Sequence, residues 1–579
     1  WDTAKKAVDF LWNHSVDSSD INIAFYGGEP LLQMPLINRI IEYSDILFNG
    51  KKVSYNITTN GTLAGGTNSL TITCNAVFGD GTTDTVTAVN VLSVSGNTTI
   101  HTNTITTTGT QTYGDTAASD TITLGNGTTL TTTNAQVTFN GTVNAEASEA
   151  NALTLSVGTS EVEFNGVVGG GTNGALGAVA ITGALDLNAA ITSAASLTVS
   201  TTSDLGANVT TSGTQTYTGA VTLSASPTLT TTSSTITFSS TVNSDSTTRS
   251  LTFGAGSGNA VFTGAVGNSA ALGTITDIAG QTLTFSDAVT ATTIANYGTL
   301  LFNATSAKTI SPAITDNGTT TIQVIDSTDG APGIITFSGN IAADTITIGT
   351  TTKAGSALFN GTVTGTNINV VGGDAASSAE NSQATFADTV TVTAITLDDN
   401  TSSAAVTFSG TAKTITGTIN GLATTEGTIT VSGTPTFAST IGNTQRVSQL
   451  TINGATTFQA AVRTNALTTT AAISNGTTLD VASTSTIGAD ITTSGTQTYT
   501  GAVTLSVSPT LTTTSNTITF SSTLNAVDAT DRDLTFGTGS GNVIFTGAVG
   551  TTYNLGTITD IAGQTLTFSD AVTATTIAN

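Results

Sequence analysis

The chain has 579 residues and a formal net charge of −25, from 37 acidic against 12 basic side chains. Only 8% of residues are charged and 5% aromatic, while 61 are Gly and 135 are Thr. This composition excludes a mainly helical protein, because Thr and Gly are poor helix formers and Thr suits a pleated sheet. It also excludes a nucleic-acid partner, since binding a phosphate backbone needs a cationic surface. With one Cys, Cys74, neither a disulfide framework nor a Cys-ligated cluster can form within the chain. No run of about 20 apolar residues is present to cross a membrane as a helix, and no signal peptide is visible. Opening at Trp1 without a Met, the chain reads as an internal piece of a longer product.

Charge divides the chain near residue 65. Residues 1–65 hold 12 charged side chains, and the other 37 are spread over residues 66–579, with no Lys or Arg between Lys52 and Arg249. Such a break in composition marks a domain boundary. In the first part Ala4, Val8 and Leu11 repeat at helical spacing, and Ile21, Ile23 and Phe25 alternate as in a strand. Met34, Ile37, Ile41 and Phe48 then fall on one predicted helical face, and Val53, Tyr55 and Ile57 alternate again. Strand, helix, strand in that order is a βαβ unit. One such unit cannot bury both faces of its sheet, so residues 1–65 read as an incomplete α/β fragment.

The loop after the first predicted strand is Gly27-Gly28-Glu29-Pro30-Leu31-Leu32, and Thr59-Asn60-Gly61 ends the second. On these motifs the stretch resembles the radical S-adenosylmethionine family, in its peptide- and sulfatase-maturing branch. The resemblance implies that Gly27, Gly28 and Glu29 hold the methionine end of S-adenosylmethionine beside a [4Fe–4S] cluster. Two glycines let a backbone approach a ligand closely, and a carboxylate receives an ammonium group. The cluster of that family needs three closely spaced Cys upstream of this loop. None precedes it here. The three residues therefore read as vestigial, and no cofactor is expected unless the fragment belongs to a radical enzyme whose cluster-binding part is missing.

Residues 66–579 are a repeat array. Thr211-Ser212-Gly213-Thr214-Gln215-Thr216-Tyr217-Thr218-Gly219-Ala220-Val221-Thr222-Leu223-Ser224 recurs unchanged at Thr493–Ser506, within long copies spanning 205–296 and 487–579. Inside the long repeat lies a short one: apolar or small, any, Phe, any, small, any, Val or Ile. Val137-Thr138-Phe139-Asn140-Gly141-Thr142-Val143 and Ile335-Thr336-Phe337-Ser338-Gly339-Asn340-Ile341 are examples, and thirteen of the 21 Phe sit in such motifs. Period-two alternation puts Phe inward and Thr or Ser outward. Stacking each coil on the next, Phe on Phe in one continuous column, gives a parallel β-solenoid of roughly 22 rungs. Phe359 is expected inside and Thr362 outside. The alternative is a string of tandem β-sandwich domains of about 94 residues.

The catalytic inventory is thin. His14 and His101 stand apart from any thiol or carboxylate pattern and read as surface or packing residues. The pairs Asp80/Asp84, Asp326/Asp329 and Asp398/Asp399 have the chemistry of Ca²⁺ ligands, but read as solvated turns. No catalytic and no metal-binding residue is expected. The Thr-, Gly- and Asn-rich text resembles the β-helical passengers of large bacterial surface adhesins and autotransporter-like proteins. That resemblance implies a non-catalytic structural or adhesive protein, extracellular or at the cell surface, meeting carbohydrate, surfaces or other cells.

Overall fold

The computed structural model describes residues 1–25, 30–57, 62–80, 83–115, 119–172, 174–326, 332–374 and 381–578. They form two compact units, Trp1–Gln281 and Thr282–Asn579. The first unit opens with helix α1 (Asp2–His14), strand β1 (Asp20–Phe25), a 3-10 turn (Pro30–Gln33), helix α2 (Met34–Leu47) and strand β2 (Lys52–Ile57). Strands β1 and β2 pair in parallel, from Asp20 on Lys52 to Phe25 on Ile57. Val8, Ile21, Ile40 and Phe48 form the core of this piece, with Trp1 and Trp12 packed against it.

Helix α2 differs from expectation in one informative way. Ile37 and Phe48 are buried at 3% and 1% exposure, but Met34 and Ile41 do not join them. At 3.6 residues per turn, positions 37, 40, 44 and 48 form one stripe and 34, 38, 41 and 45 a second. The second stripe lines a cleft against the first turn of the solenoid.

That turn consists of strands β3 (Thr62–Ala64), β4 (Leu70–Ile72) and β5 (Ala76–Phe78). Each pairs with the strand one turn on, Leu63 on Val86, Ile72 on Val94 and Phe78 on Ile100. Elsewhere a turn has either three short strands or two of which one is longer, as where Ile334–Phe337 pairs with Ser356–Phe359 and Ile341–Ile348 with Val363–Val371, and every strand ladder among the described residues of both units is parallel. Tandem sandwiches, the alternative, require antiparallel sheets. Among the described residues the one antiparallel contact is an isolated bridge between Thr350 and Lys353. The units hold about 23 turns between them.

Alternation within the short strands produces the fold. In Val137–Phe139 the outer two residues are buried and Thr138 half-exposed, and the same pattern recurs in Ile236–Phe238, Leu251–Phe253 and Ile518–Phe520. The aromatic rings stack from turn to turn: Tyr113, Phe139 and Phe164 at 5.3 and 5.1 Å, and Phe337, Phe359, Phe386 and Phe408 at 5.0, 5.1 and 5.7 Å. They do not make one continuous column. In the first unit the Tyr113–Phe139–Phe164 column continues as Leu187, Leu205 and Leu223. Tyr217, Phe238 and Phe262 stand instead above Leu155, Ile181 and Val199, on another side of the coil. The cause is turn length. Val137 pairs with Val162, 25 residues on, but Leu185 pairs with Ser203 and Ser203 with Val221, each 18 residues on. Shorter turns carry the motif onto a different side. Phe302 and Phe408 also stack in the interior, although Ser306 and Ala412 stand where the sequence motif asks for Val or Ile.

Small residues after Phe serve close approach as much as bending. A Cβ on Gly166 would lie 2.0 Å from the Gly141 carbonyl one turn below, and one on Gly361 2.5 Å from that of Gly339. Asn side chains tie the same corners: Asn165 donates to Asn140 and Asn188 to Asn165, both at 3.0 Å. Thr362 is such a corner residue and half-buried, its backbone N–H bound to Asn340, whereas Thr366 is exposed. Phe359 is wholly buried between Phe337 and Phe386. Phe359→Ala should therefore lower the local opening free energy of turns 337–386 by about 3–5 kcal/mol, and Thr366→Ala by less than about 0.5 kcal/mol. Hydrogen exchange at the Phe337 and Phe386 amides measures both, and equal effects would reverse the assignment of faces.

Candidate functional site

The cleft in the first unit encloses about 440 Å³ between the α/β piece and the opening solenoid turn. Helix α2, begun by Pro35 in its first turn, contributes Met34, Asn38, Ile41 and Asp45, and β2 contributes Val53 and Tyr55. Across from them lie Leu63 and the run from Leu70 to Phe78. The Tyr55 hydroxyl donates to Asp45 at 2.6 Å and lies 3.2 Å from the Ile41 carbonyl. Burial, with the Asp45 hydrogen bond adding to it, pushes that hydroxyl far above the ordinary tyrosine range. Cys74 lines the same cleft and is exposed. Partial burial raises its thiol pKa, so at neutral pH it is protonated and a poor nucleophile.

Gly27, Gly28 and Glu29 lie outside the described residues, as does the segment 58–61 with its Thr59-Asn60-Gly61 motif. The chain's own thiols can be tested against the implied cluster. Such a cluster takes three thiolates, and Cys74 is the single Cys in the sequence. This donor set does not fit it.

The remaining candidates have local partners. His14 stacks on Phe10 at 4.0 Å, with Nδ1 2.8 Å from the Phe10 carbonyl. His101 packs over Gly125 of the next turn, where a Cβ would lie 2.1 Å from its ring. Asp84 is buried at 6% exposure and accepts the Asp80 amide at 2.9 Å. Asp326 accepts the Gly333 amide, and Asp329 lies outside the described residues. Asp399 accepts the amides of Ala404 and of Gly427 one turn on, and Asp398 that of Asn400. These carboxylates brace turns, and among the described residues no group of three or more His, Cys, Asp or Glu side chains could hold a metal ion.

Two arrangements escaped sequence reasoning. The first is a buried polar knot inside the Thr-Ser-Gly-Thr-Gln-Thr-Tyr repeat. Gln215 is fully buried; its amide donates to the Thr230 and Val209 carbonyls at 2.9 and 3.2 Å, and it accepts the Tyr217 hydroxyl at 3.2 Å. Gln497 with Tyr499, and Gln111 with Tyr113, repeat this geometry. Burial drives all three tyrosine hydroxyls far above their ordinary pKa. The signal was there, since strict alternation in Gln-Thr-Tyr puts Gln inside with Tyr. The second is an outward column in which Glu163, Asp186 and Asp204 stand on successive turns. Gln136 and Thr138 donate to Glu163, and Ser224 donates to Asp204. Burial first, then the charges of Asp204 and Glu163, raises the Asp186 pKa. Only the pairing register brings these three acids together.

No protein-family model matches the chain, and no solved structure matches it. One curated protein, "Uncharacterized protein MJ0907" of Methanocaldococcus jannaschii, is 43% identical over 61 residues. The match covers 10% of this chain and 20% of that relative, so the chain spans about a fifth of the relative's length. The fold is a mainly β parallel solenoid preceded by a small α/β piece, and it fits a repeat structural protein.

Two outcomes follow from this geometry. Gln215→Leu should cost about 1–3 kcal/mol of local stability, because it leaves the buried Tyr217 hydroxyl without its acceptor; exchange at the Tyr217 and Phe238 amides reads it. Asp186 has a folded pKa above its unfolded value, so its contribution to stability falls as pH rises from the unfolded pKa through the folded one. Asp186→Asn should therefore raise the stability of the first unit at pH 7 by less than about 1 kcal/mol, solvent screening being strong there. At pH 3 it should change little, a contrast that denaturant titration at the two pH values measures.

Proposed function

We propose that the protein is a non-catalytic repeat scaffold that works outside the cell as a structural or adhesive surface protein, meeting carbohydrate or the surfaces of other cells. The observation that carries this reading is an unbroken outward row of threonines in the second unit. Thr385, Thr407, Thr430, Thr451, Thr468, Thr486 and Thr504 stand in register on seven successive turns. Parallel pairing repeats their hydroxyl and methyl groups every ~4.8 Å. Each group offers only a weak contact, but a row of them binds an extended polymer by multiplicity.

Charge supports the same reading. Arg249 pairs with Asp245, Lys308 with Asp287, Lys413 with Asp388, and Arg446 and Arg463 with Asp480. Cations are thus spent on holding neighbouring segments together, and the outer surface is hydroxyl-rich and weakly acidic. Membership of residues 1–65 in a radical S-adenosylmethionine enzyme whose cluster-binding part is missing is the alternative, and its support is the pair of motifs Gly27-Gly28-Glu29-Pro30-Leu31-Leu32 and Thr59-Asn60-Gly61.

The test is retention of the purified chain on immobilised polysaccharides and on whole cells. Retention should persist at high salt, because the contacts are uncharged, and should fall about tenfold in Thr430→Glu/Thr451→Glu. No retention on any such surface, or retention indifferent to the double substitution, would defeat the proposal.

A further inference from the structure

We propose that residues 1–57 act as the N-terminal cap of the solenoid, closing the apolar end of its opening turn and covering the strand edges that no other turn pairs. Among the described residues, strands β3, β4 and β5 each pair on one side only, with the following turn. Leu63, Leu70, Ile72 and Phe78 begin the interior columns. With nothing beneath them they would face water, and their strand edges would template pairing with other chains. Repeat arrays need a terminal element of different character for this reason.

The α/β piece supplies it. Leu63, Ala76 and Phe78 are only 8%, 8% and 5% exposed in spite of opening the stack. What lies across from them is the second stripe of α2, Met34, Asn38, Ile41 and Asp45, with Val53 and Tyr55 of β2. Met34 and Ile41 take no part in the core of the α/β piece, so their apolar surface serves the solenoid side. Where no described strand pairs over a turn, as at the last described turn of the second unit, the interior positions are more open: Leu566 and Phe568 are half-exposed and Ile577 is 51% exposed. Capping accounts for the α/β piece by its surface alone, and so stands apart from any activity assigned to its Gly27–Glu29 loop and from the surface role proposed above.

The experiment uses the full chain and two readouts, hydrogen exchange over 62–78 and alkylation of Cys74, the sole thiol. The Leu70 and Ala76 amides, bound to the Val91 and Asn97 carbonyls at 2.8 Å each, are the reporters. Ile41→Asp should speed exchange there at least tenfold and alkylation severalfold, while the β1 amides keep their protection. Ile46→Asp, on a part of α2 that is 78% exposed, should change neither. Phe48→Asp removes the core of the α/β piece and should expose 62–78 to the same degree, leaving turns beyond residue 128 protected. Unchanged protection of 62–78 in both Ile41→Asp and Phe48→Asp would overturn the proposal.

Discussion

An apolar side chain in this protein is buried by the side chain one turn above it and the one below. Everything else in the solenoid depends on that stacking. A three-residue strand such as Ile236–Phe238 turns two side chains inward and one outward, so a single turn has a few apolar groups and no second layer to cover them. Burying one Phe is worth roughly 1.5–3 kcal/mol, which does not offset the ordering of some twenty residues. Only neighbouring turns that share their buried surface make the sum favourable, and parallel register is the arrangement that superposes like side chains.

Stacking alone leaves the register underdetermined, because Thr, Val and Ile are nearly interchangeable along such strands. Polar groups remove that freedom. A slip of one residue turns every inward group outward, and at Gln111, Gln215 and Gln497 it would also break a buried amide's hydrogen bonds. The Asn ladder at Asn140, Asn165 and Asn188 and the close approach at Gly166 act on the corners in the same sense. Turn length then becomes free to vary between these fixed points, as the 18-residue steps after Leu185 show.

The low charge of the chain has a structural counterpart. Outward positions are single residues between corners, and like charges on successive turns stand about one strand spacing apart. Glu163, Asp186 and Asp204 show the cost, with the Asp186 carboxyl held partly against ionisation. Threonine avoids that repulsion, and its branched side chain packs on a pleated face. A hydroxyl-rich exterior is thus what the stacking tolerates, and it is also the surface on which the proposed adhesive role rests.

Much of this was legible in the sequence. Alternation around Phe established strands and a parallel coil, and the helical and strand periods of residues 1–57 established a βαβ order, because these are local properties of side-chain spacing. Which Phe stacks on which was not legible, since a turn shortened by a few residues moves the motif to another side, as between Phe164 and Phe238. Nor was the division of α2 into two stripes, which depends on the solenoid turn lying across from Met34 and Ile41. The clearest case is a stretch present twice, Gln281–Asn296 and Gln564–Asn579, with identical residues. Leu283 and Ile294 are 0% exposed and Phe285 1%, because Thr299–Asn303 and Ala313–Asp316 pair over them. Leu566 and Phe568 are half-exposed and Ile577 is 51% exposed, with no described strand paired over them. The same sequence determined the same strands in both places, but burial belongs to the neighbouring turn, and only the tertiary structure decided it.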